Sequence, residues 1–117
     1  MTARTTLRLL FGAILVLMLF VTSRASLMQP LWQWQGLADA NPDRGWNLAT
    51  LADAYCGFLT FYAWVYYKES ALAARGGWLV GILLLGNIAM ASYVLLQLAR
   101  LRDDEPVSRL LLRSASS

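Results

Sequence analysis

Leu48-Ala49-Thr50-Leu51-Ala52-Asp53-Ala54-Tyr55-Cys56-Gly57-Phe58-Leu59-Thr60-Phe61-Tyr62-Ala63-Trp64-Val65-Tyr66-Tyr67 is a run of twenty residues carrying one formal charge, at Asp53. Coiled as an α-helix it is about 30 Å long, which matches the hydrocarbon core of a bilayer. Lys68 and Glu69 close it, as charges do where a span meets the membrane surface. Working outward, residues 78–99 form a comparable run, opened by Gly76-Gly77 and closed by Arg100 and Arg102. Residues 7–23 form a shorter one, with Arg4 and Arg8 at its start and Arg24 at its end. The expected fold class is all-α: a three-helix transmembrane bundle with spans at about 7–23, 48–67 and 78–99. These make up one membrane domain over residues 1–102, followed by a polar tail over 103–117.

The composition agrees with that solvent. Of 117 residues, 58% are hydrophobic and 15% charged, with a mean hydropathy of +0.49. A soluble domain is about half apolar and a quarter charged, so this excess calls for a lipid environment. With no histidine and a single cysteine, imidazole catalysis, histidine-ligated metal centres and a disulfide scaffold are excluded. Cys56 lies in an apolar stretch, where a thiol behaves as a small hydrophobe. The net charge of +3 comes from basic residues beside apolar runs, which is membrane-flanking charge and not a nucleic-acid stripe.

Between the first two spans, Gln29-Pro30, Asn41-Pro42-Asp43 and Arg44-Gly45 mark turns. Leu27, Met28, Leu31, Trp32 and Trp34 make this segment an interfacial aromatic loop, because indole rings favour the headgroup level. Trp32, Trp34 and Trp46 are expected to anchor one interface, and Trp64 and Trp78 the other. The basic start, apolar core and Ser23-Arg24-Ala25 of the first run also fit a secretory signal peptide, but two later spans favour a retained helix. Three spans would put the tail opposite the N-terminus. The raw basic count then favours a cytoplasmic tail and the first helix a cytoplasmic N-terminus, the orientation expected here.

A carboxylate within a span is costly unless it meets protein or water, so Asp53 is expected to face the neighbouring helix. Tyr55, Gly57 and Thr60 accompany it on the second span, and Asn87 and Tyr93 on the third. Counting about 1.5 Å per residue from the shared end makes Asp53 level with Tyr93 and Asn87 level with Thr60. An Asp53 to Tyr93 hydrogen bond and an Asn87 to Thr60 contact are therefore expected. Gly77, Gly81, Gly86 and Ala91 supply small residues for close helix packing. No catalytic constellation, nucleotide loop or cofactor motif is present, so no cofactor is expected.

The segments Asp53-Ala54-Tyr55-Cys56-Gly57-Phe58 and Gly86-Asn87-Ile88-Ala89-Met90-Ala91-Ser92-Tyr93 resemble an uncharacterised domain-of-unknown-function family. Its members are small multi-helix membrane proteins of bacteria, with relatives in plants. The resemblance implies an integral, multi-pass protein of the bacterial inner membrane and carries no activity with it. The expected role is a non-enzymatic bundle whose partners are the lipid bilayer and a second copy or a larger membrane complex, with no nucleic acid. The alternative is a binding or carrier module for an apolar, isoprenoid-like ligand at the Asp53, Asn87 and Tyr93 site. A membrane enzyme using Asp53 as acid or base is the third reading.

Overall fold

The structure, a computed structural model, describes residues 2–112. Among these residues it is all-α, with four helices and no strand: α1 (Ala3–Met28), α2 (Arg44–Lys68), α3 (Leu72–Leu85) and α4 (Asn87–Arg100). Thr2 caps α1 by accepting a hydrogen bond from the Thr5 backbone N–H at 3.2 Å. At 26 and 25 residues, α1 and α2 are each long and apolar enough to cross a membrane. The first two apolar runs are thus helices that extend past their expected limits.

The third run is not one helix, and the expectation of a straight span over 78–99 is corrected. Gly86 stands alone between α3 and α4 at φ 55° and ψ −122°, the mirror image of a turn conformation that side-chain-bearing residues favour. Its N–H closes α3 on the Ile82 carbonyl at 2.8 Å, and its own carbonyl opens α4 by accepting the Met90 N–H at 3.0 Å. The chain then folds back. Trp78 and Tyr93 have ring centroids 4.8 Å apart, whereas a continuous helix would separate those positions by about 22 Å. A Cβ on Gly81 would lie 3.9 Å from that of Ala89, so Gly81 is the point of close approach between the two arms. Each arm has 14 residues and is about 21 Å long, too short to cross a hydrocarbon core of about 30 Å.

The hairpin lies between the two long helices. Along α2, Tyr62 donates to the Arg75 carbonyl at 2.9 Å and Tyr55 to the Leu83 carbonyl at 3.0 Å, so α3 runs antiparallel to it. On the other side, α4 packs along the first half of α1, where Arg4, Leu7, Phe11, Gly12, Ile14, Leu15 and Met18 are the half-buried positions. That spacing is the stripe one helix face presents to a neighbour. From Leu19 to Met28, α1 is exposed throughout, and α2 is mostly exposed from Arg44 to Asp53; both overhang the Gly86 tip. The connecting loop is tied by side-chain amides: Asn41 donates to the Gln35 carbonyl at 3.1 Å and Asn47 to that of Gly36 at 2.8 Å. The Trp34 ring lies against Gly36, leaving no room there for a Cβ.

The folded hairpin also brings the tail to the end of the molecule that holds the start of α1, where three straight helices would place it at the opposite end. The Arg4 guanidinium donates to the carbonyls of Leu101, Arg102 and Glu105 at 3.4, 2.6 and 3.1 Å, and Lys68 donates to that of Leu110 at 2.5 Å. The start of α1, the α2–α3 turn and the tail therefore share one end of the molecule. Residues 113–117, the last part of the expected tail, lie outside the described residues.

Candidate functional site

Two apolar clusters meet at the shared end. Val65, Ile82, Ala89 and Tyr93 form the first, and Val94, Leu98 and Leu110 the second, with Phe61 and Trp64 of α2 packed against both. Tyr93 is fully buried, with the rings of Trp78, Trp64 and Phe61 edge-on at 4.8, 5.5 and 6.2 Å between centroids. Edge-to-face packing of this kind favours aromatic rings at those separations. The Tyr93 hydroxyl donates to Glu69 Oε1 at 3.3 Å, at the α2–α3 turn.

Beside the second cluster is a cleft of about 340 Å³, lined by Leu7, Phe11, Phe61, Trp64, Val94, Val107, Ser108, Leu110 and Leu111. Its walls come from α1, α2 and α4. Its remaining side is a single 3-10 turn of the tail, Val107–Leu111. That turn is held by Lys68 at the Leu110 carbonyl and by the Trp64 indole N–H, which donates to the Leu111 carbonyl at 3.2 Å. The Lys68 side chain is 7% exposed, and its ammonium is 5.7 Å from the Trp64 ring centroid. No carboxylate of the described residues lies within ion-pair distance of it. On α4, the buried Gln97 Nε2 has no hydrogen-bond partner among the described residues. An apolar cleft beside a cation that lacks a contact ion pair is suited to an amphiphile.

The residues expected to form an intramembrane polar site do not converge. Asp53 is exposed on α2, while Tyr93 is turned to Glu69 at the other end of that helix, so their expected hydrogen bond is not made. The α3–α4 fold explains this, because level counting along a straight third span no longer applies. Asn87 sits exposed at the hairpin tip, and Thr60 donates to the Cys56 carbonyl of its own helix at 2.9 Å, so their contact is also absent. Gly57 faces open space. Tyr55 serves the hairpin instead, since its hydroxyl satisfies one of the carbonyls that the end of α3 leaves unpaired.

Of the small residues, Gly81 makes the close approach described above, Gly86 makes the turn between the two arms and lies against Phe58, and Ala91 is buried, whereas a Cβ on Gly77 would meet nothing within 4 Å. Trp32, Trp34 and Trp46 are exposed on the overhanging end, while Trp64 and Trp78 are partly buried around Tyr93. Sequence reasoning missed Lys68, Glu69 and the tail as parts of a site. The signal was the apolar spacing of Val107, Leu110 and Leu111, which marks a segment that packs.

Among the described residues, no group of histidine, cysteine or acidic side chains is arranged to hold a metal. Neither a curated protein nor a solved structure matches the chain. Its sequence does match a family described as proteins of unknown function over residues 7–117, and the chain belongs to that family, DUF1475.

Proposed function

We propose that this chain is an integral membrane protein without catalytic activity, a helical bundle that works by associating with a second copy or with another membrane protein. In this reading α1 and α2 are the two complete spans and α3–α4 is a re-entrant hairpin, so the three-helix bundle becomes two spans around a folded third element. The position of Asp53 carries the proposal. An intramembrane carboxylate faces protein or water, and among the described residues of the single chain no side chain answers it. The exposed face of α2 thus needs a neighbour. Surface area supports the same reading, since 8262 Å² is about 30% more than the roughly 6,300 Å² of a folded soluble chain of 13.0 kDa. Among the contributors, Val16, Leu17 and Phe20 of α1 and Leu59 of α2 are large and exposed.

Single-molecule photobleaching of the labelled full-length protein, diluted in bilayers, tests this. Oligomers are expected, and Asp53→Leu is expected to weaken them about fivefold, the size of one interhelical hydrogen bond of ~1 kcal/mol. Single-step bleaching at every protein-to-lipid ratio, together with purification from native membrane as a lone chain, would overturn the proposal.

A second reading, an apolar-ligand module, is favoured by the cleft at the shared end rather than by Asp53, Asn87 and Tyr93. The inner membrane of a bacterium is the compartment proposed for both.

A further inference from the structure

We infer that the cleft and Lys68 together form a site for one anionic membrane lipid, with an acyl chain in the cleft and the acidic headgroup on the Lys68 ammonium. The inference deepens the apolar-ligand reading and is independent of self-association. Its first support is a buried cation without a contact ion pair, the neighbouring Glu69 carboxylate acting on it only from beyond that distance. A buried ammonium is costly unless it is paired, yet Lys68 is 7% exposed and donates to the neutral carbonyl of Leu110. An ammonium carries three donors, so a headgroup oxygen can join without displacing that bond.

The second support is the position of this cation against the cleft. Leu110, whose carbonyl it holds, and Trp64, whose ring is 5.7 Å away, are both cleft walls. Charge and apolar volume are therefore adjacent, as the two ends of a lipid require. The third support is the lining itself, in which Ser108 is the single side chain bearing a polar group other than the Trp64 indole, and that indole N–H is already engaged by the Leu111 carbonyl. Such walls suit hydrocarbon and offer nothing to a free phosphate, so the occupant is a lipid and not an inorganic anion. The location agrees with this, because the shared end also carries Arg4, Arg8, Arg100 and Arg102, the side to which anionic headgroups are drawn.

Native mass spectrometry of the full chain, released from micelles containing equal phosphatidylglycerol and phosphatidylcholine, reads the site directly. Retention of one phosphatidylglycerol per chain is expected, with a preference over phosphatidylcholine of about fivefold, as one lysine near anionic lipid confers. Lys68→Gln should abolish the preference and Lys68→Arg should keep it. Leu7→Trp, which fills the cleft and leaves the cation in place, should abolish retention altogether, so the outcome does not depend on one variant folding. Inorganic phosphate at millimolar concentration should not displace the lipid. Equal retention of the two lipids, or an unchanged preference in Lys68→Gln, would overturn the headgroup assignment while leaving an apolar site. Retention of neither lipid would remove the cleft-binding reading as well.

Discussion

At Gly86 an alanine Cβ would lie 2.8 Å from Phe58 Cζ, and the backbone there has a φ of 55° that L side chains rarely adopt. Both penalties act on the residue that joins the two arms of the hairpin. Gly86→Ala is expected to destabilise the fold by about 1–3 kcal/mol, the cost of a non-glycine residue held in such a region. Unfolding by denaturant in micelles would measure it, and a neutral result would mean that the hairpin turn is absent. Tyr55 makes a separate contribution to the same element. Tyr55→Phe keeps the ring beside Phe58, at 5.2 Å between centroids, but leaves the Leu83 carbonyl unpaired. A loss of about 0.5–1.5 kcal/mol is expected, the net worth of one hydrogen bond at an exposed position, read in the same unfolding experiment.

The tail is an element whose attachment depends on a few polar contacts. Arg4→Gln removes the guanidinium that gathers three carbonyls of the tail, and tryptic cleavage at Arg102 and Arg109 is expected to accelerate while cleavage at Arg44 does not change. Acidification should release the same segment. The Glu105 carboxylate accepts the Arg102 N–H at 2.9 Å, which holds its pKa below the ordinary 4.5, and the guanidinium groups of Arg102 and Arg109 act in the same direction. Because the folded-state value is the lower one, the stabilisation is complete above the ordinary value and disappears as the pH falls through the depressed one. Protection factors of the 102–109 amides, with the intrinsic slowing of exchange in acid divided out, should fall as the pH drops below the ordinary carboxylate value in the wild type, and Glu105→Gln should lose that dependence.

How far these elements are legible in the sequence follows from the signals each one carries. The long helices are announced by apolar runs flanked by charges, with a single charge inside each at Arg8 and Asp53, and α1 and α2 follow them. The break at Gly86 lies inside an equally apolar run, Leu83-Leu84-Leu85-Gly86-Asn87-Ile88, without proline or charge. Hydropathy averages over such a point. Gly-Asn is nevertheless a turn dipeptide, and reading Gly86 as a packing residue passes over its backbone freedom. That one reversal displaces every depth count on the third run, which is why Asp53 and Tyr93 look level in the sequence. The Lys68 site is illegible for another reason: its walls come from three helices and a tail turn brought together only by the fold.

At the scale of the molecule, the reversal at Gly86 bears on the proposed topology. In the proposed reading of two complete spans and a re-entrant hairpin, the N-terminus, the α2–α3 turn and the tail all emerge on one side. That side carries Arg4, Arg8, Lys68, Arg75, Arg100, Arg102 and Arg109, against Arg24 and Arg44 on the other. In that proposed reading the positive-inside bias, ambiguous for three spans, becomes strongly one-sided and predicts a cytoplasmic N-terminus and tail. Full-length protein with Cys56→Ser and a single cysteine placed at Thr2, Ser108 or Asp39 allows a direct check with a membrane-impermeant thiol reagent on intact and on permeabilised cells. Labelling at Asp39 alone in intact cells, with Thr2 and Ser108 reactive only after permeabilisation, is the expected pattern. If Ser108 reacts on the side opposite Thr2, the third run crosses the membrane as a continuous span. Lys68 and Leu110 would then lie on opposite faces of the bilayer, about 30 Å apart, and no lipid site would join them.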